Sequence, residues 1–232
     1  EKYCLRLSEI RFDKRKAVGI LQIGIPSAFQ YSLFAFANLF VQSSVNSFDH
    51  VLVEGNSAAA NADPLVYDMM AAFYTACSSF IAQNFGARKK KRILQTYLIC
   101  LFYSFITSLV LGVGIYLARY PFLYLFTSDK AVVEAGITRL SIMALSYSAS
   151  AFMDASIAAS RGLGKTAVPT VVVVMGSCVF RIIWIYTIFA YFHTIQSLYI
   201  LYVFSWGITA IAENIYFFHV YRHTLTEKKE LC

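Results

Sequence analysis

Charged residues are scarce in this sequence of 232 amino acids. Only 14% of its residues are Asp, Glu, Lys or Arg, against roughly 25% in soluble chains, and 58% are hydrophobic. A soluble domain of this size has too small an interior to bury so much apolar surface. The composition excludes an ordinary soluble domain and predicts a chain that lies in a lipid bilayer.

Catalytic and metal-binding motifs are also lacking. The five cysteines form neither a CxxC pair nor a spacing typical of a secreted disulfide framework. Gly164-Lys165-Thr166 lacks the first glycine of a phosphate-binding loop, because Ala159 stands at that position. His219 and His223 offer two metal ligands without a third. We therefore expect neither an enzyme nor a bound metal or organic cofactor.

Acidic residues are outnumbered, with 13 Asp and Glu against 20 Lys and Arg and a net charge of +7. In a soluble protein this excess would suggest nucleic acid, but here the cations concentrate in short segments between apolar runs. The strongest segment is the run of five cations at positions 88–92. A short loop this basic is expected to stay in the cytoplasm, so it sets the direction of every span. Nucleic acid is therefore not expected as a partner.

Six apolar runs are long enough to cross a bilayer, which requires about 20 residues. They are predicted at 17–48, 58–86, 93–118, 131–160, 167–192 and 195–221, after a basic lead-in (1–16) and before a polar tail (223–232). With this division, 16 of the 20 Lys and Arg lie on the same side of the membrane as residues 88–92. The sequence predicts an all-α, polytopic protein of the cell (inner) membrane, a bundle of six transmembrane helices with both ends of the chain in the cytoplasm.

Polar segments between the runs predict loops and helix ends. Asp49, His50 and Glu54 are expected in an outer loop. Asp129 stands where its side chain can cap the next helix. Pro26, which follows Gly24 within one turn, predicts a kink in the first span.

Two carboxylates interrupt the apolar runs on the cytoplasmic side. At 1.5 Å per residue, Asp154 lies about 10 Å from the end of its span and Glu213 about 13 Å. A charge near the bilayer centre costs about 2.5 to 3.5 kcal/mol, so each needs a partner or a water-lined cavity. Their similar depth is compatible with one shared cavity. Two alternatives stay open: Asp154 neutralises Arg161 on the same helix, and Glu213 extends to the membrane surface.

Asp68, Arg139 and Arg181 form a second group of charges within the spans. Each lies about 12 to 17 Å from the outer end of its span. They predict an ion pair inside the bundle, provided that their helices are neighbours. Arg181 is expected to be structural rather than to bind substrate.

Several motifs together resemble the second half of the multidrug and toxic compound extrusion (MATE) transporters. They occur in family order over nearly the whole chain: Gly24-Ile25-Pro26, Gln30, Asn38, Gln42 and Asn46-Ser47-Phe48, then Gln83-Asn84-Phe85-Gly86-Ala87, Arg161-Gly162-Leu163-Gly164, Pro169, Arg181 with Trp184, and Ser205-Trp206. The sequence departs from the family at Asp49, where Gly is usual, and at Val203, where Pro is common.

The resemblance implies a twelve-helix transporter of two six-helix lobes, of which this chain is one. The N-terminal lobe is then a missing partner, and the lack of an initiator Met agrees with a chain that is part of a longer protein. Family members are antiporters that export organic, often cationic compounds in exchange for H⁺ or Na⁺. The resemblance also implies that Gly24 and Pro26 allow the bending that alternating access needs.

Roles for individual residues follow from the same resemblance. Asp154 is the first candidate for binding the coupling ion and Glu213 the second, because a low-dielectric cavity disfavours the charged form of a carboxylate. Small organic substrates would contact aromatic and Met side chains of the second span. The candidates for this cavity wall are Asp68, Met69, Met70, Phe73 and Tyr74.

Two other functions are compatible with the sequence. One is a flippase of lipid-linked oligosaccharides from the same superfamily, although such a protein needs several cations in its cavity and the spans offer mainly Arg139 and Arg181. The other is a six-helix membrane scaffold subunit that uses no driving ion. In that case, neutralising Asp154 would change only stability or assembly.

Overall fold

The apolar runs form helices that are long and apolar enough to cross a membrane. In the computed structural model, which describes residues 13–223, every regular element is helical. The helices are α1 (Lys14–Val45), α2 (His50–Ala60), α3 (Ala62–Gly86), α4 (Lys90–Leu117), α5 (Arg119–Tyr124), α6 (Lys130–Gly162), α7 (Ala167–Phe192) and α8 (Ile195–His223). Because α2 and α3 form one segment, His50–Gly86, six segments are long and apolar enough to span a bilayer. The predicted all-α, six-span architecture is confirmed.

Aspartate side chains define three helix starts. Asp13 accepts hydrogen bonds from the backbone N–H groups of Arg15 and Lys16. Asp49 caps α2, and Asp129 caps α6 by accepting from the Ala131 N–H at 2.8 Å. Each cap satisfies N–H groups that have no partner inside the helix. The cap predicted at Asp129 is therefore present.

The second span begins earlier than the sequence indicated. His50 and Glu54 were expected in a loop, but they lie on α2, and their side chains are 3.2 Å apart (Nε2 to Oε1). The Asp49 cap and this i,i+4 pair support a helix start well before the apolar run. The short helix α5 lies between the predicted spans 93–118 and 131–160. The lead-in at 1–12 and the tail from 224 onwards lie outside the described residues.

Helix α6 is the central element of the bundle. It packs against α2, α3, α4 and α8, and 67% of its most apolar stretch is buried, compared with 12% for α1. Glycines bring its neighbours close: a Cβ on Gly112 of α4 would lie 2.1 Å from the Ala144 carbonyl oxygen. On α2, a Cβ on Gly55 would lie 2.6 Å from the Ala135 Cβ. The core therefore surrounds α6, whereas α1 lies at the edge.

Helix α7 departs from regular α geometry in two places. The segments Val174–Val179 and Ile185–Phe189 are π-helical, and Arg181 lies in the α-helical stretch between them. In the first π segment, the Gly176 carbonyl accepts a hydrogen bond from the Ser205 hydroxyl of α8 at 3.2 Å. π turns of this kind often accompany functional sites.

Candidate functional site

A cavity of about 620 Å³ lies inside the bundle, between α1, the α2–α3 segment, α6 and α8. Its wall carries two Asp and two Arg residues, together with amide and aromatic side chains. The aromatic residues of the wall are Tyr31, Phe34, Tyr67, Tyr74, Tyr199, Tyr202 and Trp206. A cavity of this size and mixed polarity suits a small organic molecule.

Asp154 contributes a carboxylate to this cavity from α6. Arg161, two turns further along α6, donates from Nη2 to Gln30 Oε1 of α1 at 3.0 Å, and its guanidinium lies 5.9 Å from the Tyr31 ring. Within the described part of the chain, no cationic side chain lies within 4 Å of Asp154. The direct neutralisation considered from the sequence is therefore not the arrangement found.

A second polar cluster lies elsewhere in the cavity wall, around Arg139. This guanidinium donates from Nη2 to Asp63 Oδ2 at 2.5 Å and from Nη1 to Asn56 Oδ1 at 2.7 Å. The Tyr147 hydroxyl donates to the other Asp63 oxygen at 2.5 Å. Asn56 in turn donates to Gln42 Oε1 of α1 at 3.5 Å. The cluster thus connects four helical segments and neutralises the charge of Arg139.

The predicted ion pair of Asp68 with Arg139 or Arg181 is wrong. Asp68 is exposed, and Arg139 is paired with Asp63. The two aspartates are five positions apart in the sequence, which places them about 140° apart around the helix. Asp63 shares its face of α3 with the buried residues Val66 and Met70. The sequence carries no signal for this choice, because apolar residues also occupy the exposed face of α3.

Arg181 is buried without a carboxylate partner among the described residues. Its Nη1 donates to Asn38 Oδ1 at 2.6 Å, and its Nε donates to the Ser205 hydroxyl at 3.3 Å. The guanidinium lies between the rings of Phe34 and Tyr202, 4.6 and 4.5 Å from their centroids. Aromatic faces attract a desolvated cation. Arg181 therefore joins α1, α7 and α8.

Most of the residues predicted to form the cavity wall do not line this cavity. Of the five, Tyr74 alone is in the wall. Asp68 and Met69 are exposed on the opposite face of α3, and Met70 is buried in the core. Phe73 stacks on Tyr103 of α4, 6.0 Å between centroids. The composition of α3 predicted that this helix contributes to the cavity wall, but not which of its faces does so. Most of the aromatic residues of the wall belong to α1 and α8.

Glu213 does not share the cavity with Asp154, contrary to expectation. Its side chain is fully buried in α8 and outside the cavity wall, so it does not extend to the membrane surface either. Neither carboxylate oxygen has a hydrogen-bond partner among the described residues. Asp154 lines the cavity and Glu213 does not, so the two carboxylates lie in different surroundings.

The two hinge candidates lie in α1. Pro26 lies inside this continuous helix, where it lacks a backbone N–H to donate. Gly24 has open space around the position of a Cβ. Bending at these residues stays a prediction.

The fold is that of a multi-pass membrane protein with an internal cavity. The MatE family model matches residues 26–187, and the chain accordingly belongs to the MatE family of membrane transporters. The family resemblance seen in the sequence is thereby confirmed. No curated protein matches the chain significantly.

Solved transporters share this fold at low sequence identity. A MOP superfamily transporter from Pyrococcus furiosus is 19% identical, with a TM-score of 0.85 over 96% of this chain and 50% of that chain. A MATE protein in the straight conformation is 18% identical, with a TM-score of 0.86 over 96% of this chain and 50% of that chain. A Vibrio cholerae MATE transporter, VcmN, is 17% identical, with a TM-score of 0.82 over 94% of this chain and 50% of that chain. The chain therefore spans about half the length of the transporters it matches.

Proposed function

We propose that this chain is one lobe of a secondary active antiporter that exports organic, typically cationic compounds in exchange for H⁺ or Na⁺. The observation that carries the proposal is Asp154, a carboxylate that faces the cavity and has no direct ion-pair partner among the described residues. A group placed in this way can exchange a proton or bind Na⁺ when the cavity opens to one side of the membrane. Membership of a transporter family also supports the expectation that the chain is not an enzyme.

The cavity wall supports organic cations as the substrate class. Seven aromatic rings face a volume of about 620 Å³. Rings attract organic cations through their faces, and a cation would also be attracted by Asp154. The Arg139 charge is cancelled by Asp63, which leaves fewer free cations than a pyrophosphate-binding flippase needs. The scaffold alternative has no need of an unpaired carboxylate in a cavity.

Completion of the transport pathway requires a second lobe. The solved relatives are twice as long as the part this chain matches. Helix α1 presents apolar side chains to the outside along its length, including Leu21, Phe29 and Phe36. Such a face suits lipid or a second lobe. We place the protein in the cell (inner) membrane, with the loop at 88–92 and both chain ends in the cytoplasm, on the basis of its charge distribution.

We expect alternating access to involve bending of α1. Related MATE proteins have been solved in straight and bent forms. In this chain, α1 supplies Gln30 to Arg161 and Asn38 to Arg181. Bending at Gly24 and Pro26 would change these contacts and thereby couple the ion site to the cavity shape.

The proposal is tested by Asp154→Asn in the complete protein. We expect at least a tenfold loss of gradient-driven ethidium efflux from proteoliposomes, because the neutral amide cannot exchange the coupling ion. Asp68→Asn is the matched control, since it makes the same chemical change at an exposed position, and it should transport normally. Separate pH and Na⁺ gradients identify the ion. Wild-type efflux by Asp154→Asn at equal protein level would overturn the proposal.

A further inference from the structure

A groove lies on the outside of the bundle, where α3 ends and α4 begins. Its volume is about 500 Å³. One wall is the face of α3 with Phe80 and Asn84, and the other is the face of α4 with Arg92 and Ile99. The turn between the helices, in which Arg88 is left-handed (φ 56°), contributes Lys89 to the lining. The groove is separate from the cavity that contains Asp154.

Positive charge is concentrated at the end of the groove next to the turn between α3 and α4. Lys89 and Arg92 line it and are exposed, and no carboxylate is among the lining residues. The first turn of α4 contains no acidic residue, although the N-terminal end of a helix favours negative charge. Lys90 is directed elsewhere: its Nζ donates to the Arg222 carbonyl at 3.3 Å and lies over the Tyr221 ring. This end of the groove is therefore complementary to an anion.

The opposite end of the groove is apolar. Phe80 and Ile99 are 55% and 54% exposed, and both lie about 10 to 12 Å from the charged turn at the helical rise per residue. Gln83 and Gln95 lie between the two ends. A free phosphate ion would use the charged end alone. The gradient from cations through amides to apolar side chains matches a molecule with an anionic head and a hydrocarbon tail.

We propose that this groove binds one anionic phospholipid from the leaflet on the side of residues 88–92. The lipid phosphate lies between Lys89 and Arg92, and an acyl chain runs along Phe80 and Ile99. Basic pockets between helices at the membrane surface recognise anionic head groups in this way. The inference is independent of ion coupling, because it concerns a different surface.

Native mass spectrometry of the complete purified protein tests the proposal, with phosphatidylglycerol and phosphatidylcholine as the added lipids. The key variant is Lys89→Ala with Arg92→Ala, and the matched control is Arg88→Ala with Lys91→Ala. Both remove two cations from the same turn, but only the first pair lines the groove. We expect one retained phosphatidylglycerol in the wild type and the control, and roughly 10- to 30-fold weaker retention in the key variant.

Lys89→Arg with Arg92→Lys should restore retention, which separates lost charge from a folding defect. Equal loss in both alanine variants would overturn the proposal, because the lipid would then respond to overall charge. Equal retention of phosphatidylcholine, or displacement of the lipid by inorganic phosphate, would also overturn it. Transport is not the readout, so this result and the Asp154 result can fail separately.

Discussion

Two arginines within the spans are stabilised in different ways. Arg139 is paired with Asp63, whereas Arg181 is held by two neutral hydrogen-bond acceptors and two aromatic rings. A desolvated cation–π contact contributes about 2 kcal/mol, so the two rings offset part of the cost of burial. The neutral shell leaves the charge of Arg181 uncancelled at the point where α1, α7 and α8 meet.

The Arg139–Asp63 pair predicts strong coupling between two substitutions. Asp63→Ala should lower the free energy of unfolding by about 3 to 5 kcal/mol, because it leaves the buried Arg139 charge alone. Arg139→Gln should cost less, because the Asp63 side chain that it leaves alone is 26% exposed. The double variant should lose much less than the sum. Titration of the protein with SDS in mixed micelles measures these values. Additive losses would contradict the pair, and Asp68→Asn, which is exposed, should stay within about 0.5 kcal/mol of wild type.

At the scale of the element, the contact between α4 and α6 depends on a glycine, Gly112, which has no side chain. Gly112→Ala would place a Cβ against the Ala144 carbonyl, which is backbone and cannot rotate away. We expect a loss of about 1 to 3 kcal/mol from overpacking. Gly114→Ala is the control on the same helix, because nothing lies within 4 Å of its Cβ position. It should be neutral or stabilising by up to about 1 kcal/mol. Equal losses at both positions in the same SDS titration would contradict the close contact.

The elements were predictable from the sequence, but their inward faces were not. Apolar length and charged turns gave six spans, since the bilayer dictates both. In lipid, however, apolar residues surround every helix, so periodicity does not mark the buried face as it does in a soluble protein. Asp68 was chosen as a partner for that reason, and Asp63 was missed. Asp154 is a candidate from the sequence because a carboxylate within a span is informative whichever way its helix faces, and its role stays a prediction.

At the scale of the whole molecule, orientation in the membrane is testable by chemical labelling. Positions 91 and 128 are exposed at opposite ends of the bundle. In a background without Cys4 and Cys232, Ser128→Cys should react with a membrane-impermeant maleimide in intact cells. Lys91→Cys should react only after permeabilisation, because basic turns stay in the cytoplasm. The opposite labelling pattern would reverse the proposed topology.

The π turns of α7 have a consequence for how the chain tolerates changes in length. A π turn closes its hydrogen bond one residue later than an α turn, so Val174–Val179 and Ile185–Phe189 each contain a supernumerary residue. Deletion of one residue there restores ordinary winding and leaves the flanking residues on their original sides. The same deletion in α6 would rotate everything beyond it by about 100°. Single-residue deletions should therefore be tolerated better in these two segments of α7 than in α6.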